Sequence, residues 1–444
     1  MDEGEALLAR ARGRDGASTA NRARETLDER VADDDGVAHA DRRDGRWRRS
    51  TYALATCAVT MAVVVGMLAV GRAVGRARAV SETETRTATR ARLGARARRG
   101  GGGALGRATK DAVFLTYSDR VVPGMCVSGE TAAMSGIALR MLGSNARDSA
   151  RFDVERVKNP KTKKVFAWLK ALTDDDMRKE LGIGDDTIVS LGDASDVMYV
   201  QNVEEVLRHF KDIELESGGA TKNLVVASSE KNCRPWVIKG RERIPGGFEA
   251  CKKYPRDVGS TYKYLNSGNL IGRAKGMAAL LSDVVARMKD VNEDDQLILA
   301  NAFLRQVESR TNKTSANPAY TITLDYQQHL FAPAWDTAME SKHFAQYGKN
   351  TVYYDRKYAH VVNTETHTLP TILHFNGDKS NLYVVARHFM RHHAKHPRYQ
   401  EIKDVISDEY QWFKNTCEDI ISKVLAGETV ENTKPKHRGG GRAP

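Results

Sequence analysis

Cysteine is scarce in this chain, with five residues in 444. No Cys-x-x-Cys pair and no Cys/His metal spacing occurs, which excludes zinc-finger and zinc-ribbon chemistry. Cys57 stands inside an apolar run, and Cys126, Cys233, Cys251 and Cys417 remain. Cys233 and Cys251 flank a loop containing Pro and Gly, where a disulfide in an oxidising compartment and a pair of buried thiols both fit. No aromatic-basic interleaving supports nucleic-acid binding. The net charge of +12 comes largely from arginines around and just after the apolar run. It is therefore not a nucleic-acid footprint, and no nucleic-acid partner is expected. An internal repeat is also missing. Large apolar side chains are nearly absent from residues 1–50, so this segment cannot bury a core and is expected to be a disordered cytosolic tail.

From Thr51 to Gly71 the missing feature is charge. A helix of that length reaches roughly 30 Å, the thickness of a bilayer core. The polar, Arg-rich flanks argue against a buried core helix, and the long polar segment before the run argues against a cleavable signal peptide. Residues 51–71 therefore read as a single-pass signal anchor. Arg42, Arg43, Arg46, Arg48 and Arg49 on the N-side outnumber Arg72, Arg76 and Arg78 on the C-side, which favours a cytosolic N-terminus. Such arginines also suit anionic lipid. The expectation is a type II membrane protein of the endoplasmic reticulum or Golgi with a lumenal catalytic domain; no C-terminal retention tetrapeptide separates the two compartments. Residues 72–110 read as a flexible stem ending in a Gly100–Gly103 run. A globular domain follows at 111–385, then a helical extension at 386–425 and a disordered tail at 426–444. Asn312-Lys-Thr314 is a glycosylation acceptor if its segment is lumenal.

Within the globular part, strand-like and helix-like segments alternate. Ala112–Tyr117, Thr187–Leu191, Asn223–Ser228 and Pro370–His374 read as strands. Gly129–Leu142, Thr162–Leu172, Val203–Ile213, Met277–Met288 and Asp295–Val307 read as helices. This alternation predicts an α/β fold with a mostly parallel central sheet covered on both faces.

One strand carries the chemistry. Thr187-Ile-Val-Ser-Leu-Gly-Asp193-Ala-Ser-Asp196 ends an apolar run in two aspartates three residues apart. Carboxylates at the C-terminal end of a buried strand sit where open α/β sheets bind ligands. Two hard oxygen donors suit Mg²⁺ or Mn²⁺, ions that bridge to substrate phosphates. Further along stand Ser228-Ser-Glu-Lys-Asn-Cys-Arg-Pro-Trp236, Tyr254-Pro255, Tyr264-Leu-Asn266-Ser-Gly268, Asn292-Glu-Asp294-Asp295-Gln296, Ile322-Thr-Leu-Asp325 and His374-Phe-Asn376-Gly377.

In this order the segments resemble the glycosyltransferase domain of procollagen-lysine hydroxylases and, more widely, collagen-type sugar transferases. The resemblance implies a GT-A-type nucleotide-sugar-binding sandwich that uses a UDP-sugar and Mn²⁺, with Mg²⁺ as the alternative. By motif, Asp193, Asp196 and His374 are implied metal ligands. An imidazole in the set favours Mn²⁺ over Mg²⁺. Leu115, Thr116, Asp193, Ala194, Ser195, Asn376, Gly377 and Lys379 are implied contacts of the nucleotide or its diphosphate, and Trp236 is an implied apolar cover for sugar or acceptor. Asp294, Asp295 and Asn266 are implied to orient sugar hydroxyls or to act on the acceptor hydroxyl. The chain departs from the family pattern at Phe375, where Gly is usual, in a stretch before Lys379 that is one residue shorter, and at Lys158-Asn-Pro160-Lys, which replaces a Gly-rich turn and leaves Lys164 without an assigned role. His388, His392, His393 and His396 are surrounded by Arg387, Arg391, Lys395 and Arg398, which disfavours a second metal site.

No module the size of the hydroxylase follows Gly377, so hydroxylation is not carried over. The expected function is transfer of galactose or glucose from a UDP-sugar to a hydroxyl of a protein or glycan acceptor. The alternatives are a noncatalytic, membrane-tethered sugar- or protein-binding module, and a metal-dependent nucleotide phosphatase, for which no second metal cluster is visible. The sequence leaves the oligomeric state open.

Overall fold

The computed structural model describes residues 112–143, 157–217, 223–233, 236–238, 241–311, 319–334, 352–355, 360–377, 379–395 and 407–430. The chain starts with β1 (Ala112–Tyr117), α1 (Pro123–Met134) and β2 (Leu139–Leu142), followed by α2 (Pro160–Thr173), α3 (Asp175–Leu181), β3 (Ile188–Asp193), β4 (Val197–Tyr199) and α4 (Val203–Glu216). Then come β5 (Leu224–Glu230), β6 (Val237–Ile238), β7 (Arg241–Glu242), α5 (Gly247–Lys253), β8 (Tyr264–Arg273), α6 (Ala274–Ala286) and α7 (Asp295–Thr311). β9 (Thr321–Leu324), β10 (Phe331–Pro333), β11 (Val352–Asp355), β12 (His360–Asn363), β13 (Ile372–His374), α8 (Ser380–His393) and α9 (Ser407–Ala426) complete the order.

Local chemistry sets several of these boundaries. Pro123 opens α1, where its missing N–H costs nothing. The helix expected over Gly129–Leu142 ends early, at Met134. Ser135-Gly136 turns the chain with Gly136 at φ 71°, and Leu139–Leu142 pairs in parallel with β1 instead. Asn159, Asp174 and Asn202 each accept a backbone N–H as N-caps of α2, α3 and α4. Gly182 closes α3 in the left-handed conformation.

The main sheet has the order β2-β1-β3-β8-β5-β9, and only β8 runs antiparallel to its neighbours. Side chains alternate across it as strand geometry requires. Leu115, Val189, Leu191, Val225, Ala227 and Leu270 join one buried cluster with Val165 and Trp168 of α2 and with residues of α6 and α7. Ala112, Phe114, Ile188, Leu224, Val226 and Ile271 point the other way, into a cluster with residues of α1, α4 and α9. Each fully buried Leu, Ile, Val or Phe contributes on the order of 1.5–3 kcal/mol. A second sheet, β10-β13-β4, packs with α1 and α8 in a third cluster containing Met198, Leu373, Phe375 and Phe389. This mixed α/β arrangement around a mostly parallel sheet fits the GT-A-like fold.

Two disulfides brace the domain. Cys233–Cys251 closes 18 residues, which resolves the choice left open by the sequence. Cys126–Cys417, which the sequence did not single out, ties α1 to α9.

The membrane expectation is corrected. Among the described residues no helix is long and apolar enough to cross a membrane. The longest, α9, spans 20 residues but carries Lys and acidic side chains between its apolar positions. The reading as a single-pass type II protein of the endoplasmic reticulum or Golgi is therefore withdrawn. The run 51–71 lies outside the described residues, as do the tail 1–50, the stem, the Asn312 sequon, His396 and residues 431–444.

Candidate active site

β3 and β13 belong to different sheets, and their ends converge. Asp193 is the last residue of β3, Asp196 lies in the turn before β4, and His374 is the last residue of β13. β13 pairs antiparallel with β4, with His374 opposite Val197, so the histidine is held beside the aspartate turn. His374 Nε2 lies 3.5 Å from Asp193 Oδ2 and 3.6 Å from Asp196 Oδ1. One ligand atom from each of the three lies within 4.8 Å of the others.

α1 braces the turn from behind. Ser128 Oγ donates to Ala194 O at 2.9 Å and lies 2.5 Å from Val197 O. A Cβ at Gly124 would fall 1.7 Å from Ser195 O, so only glycine allows α1 this close. Phe375 N–H donates to Asp196 O at 2.8 Å. The bulky residue at the position where the resemblance implies glycine is thus fully buried and caps the turn with its backbone.

The tautomer of His374 follows from its other neighbour. Asn266 Oδ1 accepts from Gly268 N–H at 2.9 Å, so the oxygen is the atom that faces His374 Nδ1, also at 2.9 Å. An oxygen only accepts here, so Nδ1 carries the proton and Nε2 is left for the acids. Gly268 is needed for the approach, since a Cβ there would lie 2.1–2.7 Å from the imidazole. Burial opposes charge on this imidazole, but Asp196 and Asp193 outweigh it and raise its pKa to about 9. Burial likewise works against Asp193 and Asp196, yet Lys164 and His374 for the first, and His374 for the second, hold both carboxyls below their ordinary value.

Lys164 is the functional residue that sequence reasoning missed. Its Nζ sits 2.5 Å from Asp193 Oδ1 and 2.7 Å from Asp295 Oδ2, with its side chain only 7% exposed. Ser267 Oγ donates to the same Asp295 oxygen at 2.7 Å. Burial penalises the ammonium, but the two aspartates overcome that and keep it charged. The start of α2 is locked to the segment before α7, because Asn292 Oδ1 accepts from Lys158 N at 2.7 Å and from Asn159 N at 3.1 Å, and Thr162 Oγ1 donates to Glu293 O at 2.6 Å. The available signal was a lysine at a buried position of α2, one turn before Trp168, whose ring centroid is 5.2 Å from Nζ.

The other singled-out residues take definite places. Asp294 caps α7, its Oδ1 accepting from Gln296 N at 3.1 Å and Leu297 N at 3.2 Å. Burial, and then the charge of Asp295, raise its pKa. Leu115 is fully buried, and Thr116 Oγ1 donates to Gly192 O at 2.8 Å, which sets the end of β1 beside Asp193. Ala194 is buried in the turn. Lys379 Nζ reaches Ser195 Oγ at 3.0 Å and Asp196 Oδ2 at 3.1 Å. Gly377 adopts φ 142°, which favours glycine. Trp236 is fully buried; it stacks 6.1 Å from Tyr254 and contacts Gly247, a core position.

The residues fit a divalent cation. Among the described residues Asp196 Oδ1 is buried without a hydrogen-bond partner, and it faces the imidazole nitrogen whose lone pair is free in the neutral tautomer. Two carboxylates and one imidazole together offer three donor atoms to such an ion.

An α/β domain with such a triad at the ends of two sheets can hold a divalent cation beside a phosphate-bearing ligand. The family model described as the PLOD GT domain matches residues 130–393, more than half of the chain. The chain belongs to this glycosyltransferase-domain family, which implies a nucleotide-sugar donor and an acceptor. It is also 28% identical over 193 residues to a procollagen-lysine,2-oxoglutarate 5-dioxygenase of Drosophila melanogaster, covering 43% of this chain and 21% of that protein. The match thus spans about a fifth of the length of the curated relative.

Proposed function

We propose that the domain transfers a hexosyl unit, galactose or glucose, from a UDP-sugar to a hydroxyl of a protein or glycan acceptor, with Mn²⁺ (or Mg²⁺) as the ion. The observation that carries this reading is the convergence of Asp193, Asp196 and His374 within 4.8 Å in a chain of this family. When bound, the ion supplies charge neutralisation for the departing diphosphate. Asn266 keeps the Nε2 lone pair of His374 directed at the site through its hold on Nδ1. Lys164 fixes Asp193 and Asp295 in register, so strand and helix present their acids together. Lys379, now paired with Asp196, brings a cation two residues past the flexible glycine Gly377 and meets the diphosphate. Asp294 accepts the proton of the acceptor hydroxyl, because burial and Asp295 make its carboxylate a stronger base than usual.

The test is a donor screen on the full chain. UDP-glucose and UDP-galactose are added with Mn²⁺, Mg²⁺ or chelator, and both thermal midpoint and release of UDP are read. A midpoint rise that needs donor and ion together supports the reading through linkage. UDP release that persists in chelator, or no response to any UDP-sugar, sinks it.

A further inference from the structure

Glu230 ends β5, is only 7% exposed, and has no part in the steps above. Two amides from distant parts of the chain converge on its carboxylate. Gln296 Nε2 donates to Oε1 at 2.8 Å, and Asn376 Nδ2 donates to Oε2 at 2.9 Å. Gln296 follows Asp295 at the start of α7. Asn376 lies two residues past His374, and its backbone N–H donates to His374 O at 2.9 Å. Glu230 therefore clamps the acid-bearing helix to the loop behind the imidazole.

The clamp also decides the polarity of Asn376. A carboxylate only accepts, so Asn376 must turn its NH₂ toward Glu230. Its Oδ1 is thereby directed away from Glu230, and that oxygen is buried without a hydrogen-bond partner among the described residues. An orphaned buried carbonyl is costly and is relieved only by a donor group. A free amide would rotate to relieve the cost, and Glu230 prevents this.

We infer that Glu230 is a positioning residue that presets Asn376 Oδ1 as the acceptor for a hydroxyl hydrogen of the bound nucleotide sugar. The inference rests on the donor class proposed above. Both the ribose and the transferred sugar offer such hydroxyls, and a good donor there is worth about tenfold in affinity.

A charge-conserving swap tests it. Glu230→Gln removes the two-sided acceptor, and Asn376→Asp sets a second carboxylate against Glu230. Combining the two restores complementarity, because the glutamine oxygen accepts from Gln296 and its NH₂ donates to the new carboxylate. Calorimetry with UDP, UDP-glucose and UDP-galactose in saturating Mn²⁺ should show about tenfold weaker binding for each single variant, and recovery to within about threefold of wild type for the pair. Losses for UDP itself assign the hydroxyl to ribose; losses only for the UDP-sugars assign it to the sugar. Thermal midpoints without ligand should follow the same pattern of two losses and a recovery. Unchanged single variants, or a double variant as weak as the two losses combined, overturn the inference. Thermal recovery without recovery of binding leaves Glu230 a structural residue and also overturns it. If wild type binds no UDP-sugar, the donor assignment itself fails, while the ligand-free thermal cycle still judges the clamp.

Discussion

The domain uses two pairs of aspartates in opposite ways. Asp193 ends a strand, Asp196 lies in the turn after it, and both face an imidazole, with one buried oxygen left unsatisfied among the described residues. Asp294 and Asp295 begin a helix, where the first caps two backbone N–H groups and the second is bound by Lys164 and Ser267. The first pair is pulled toward ionisation, whereas burial beside Asp295 makes Asp294 harder to ionise. Identical side chains thus acquire opposite proton affinities from the backbone element that carries them and from the charges it meets. Lys164 links the pairs, so they are not independent.

Breaking the first pair should have the largest effect. Asp193→Ala with Asp196→Ala should abolish ion binding and lower transfer by roughly 10³-fold or more, read by calorimetry with Mn²⁺ and by UDP release. Asp294→Asn should come next. Asn caps a helix as well as Asp, so the thermal midpoint should hold while kcat falls about 10²–10⁴-fold and the acid limb of the rate profile, lying above the ordinary carboxylate value, disappears. A falling midpoint with normal kcat would leave Asp294 a cap alone. Asp295→Asn should act through the lysine, costing about 3 kcal/mol of stability because a buried ammonium loses one of its two carboxylate partners, with weaker ion binding beside it. Equal thermal loss for Asp294→Asn and Asp295→Asn would erase the contrast.

The smallest signal is a proton. With its pKa raised to about 9, His374 is protonated in the ion-free protein at pH 8 and must become neutral to bind an ion. Ion binding there should release about one proton, measured as a dependence of apparent enthalpy on buffer ionisation heat. The sign for stability is set by the same shift. The ion-free protein gains from charged His374 below 6.5 and loses that gain as pH rises through about 9.

Much of this was legible from local pattern. The strand ending in Asp193, the helices after Val203 and Asp295, and the late histidine all follow from apolar periodicity and motif order. β8 was not, although it is the central antiparallel strand. Its interior reads Asn266-Ser-Gly-Asn269, the composition of a turn, because Asn266 is spent on His374 and Ser267 on Asp295. Leu139–Leu142 read as helix since four residues cannot show which period they follow; pairing with β1 decided it. Lys164, and the role of Glu230 within the Ser228–Trp236 motif, were illegible for a different reason. Their partners lie far away in sequence, at Asp295 and Asn376, and a lone buried charge acquires meaning only once the fold supplies what it touches.

The bridge between Cys126 and Cys417 joins residues 291 positions apart and encloses the aspartate turn and the late histidine. A single peptide cleavage anywhere inside that ring therefore yields two fragments that still travel together on a non-reducing gel and part only when a thiol is added. A nicked chain keeps Asp193, Asp196 and His374 on one covalent body, so integrity of the polypeptide and integrity of the site are separate properties of this molecule.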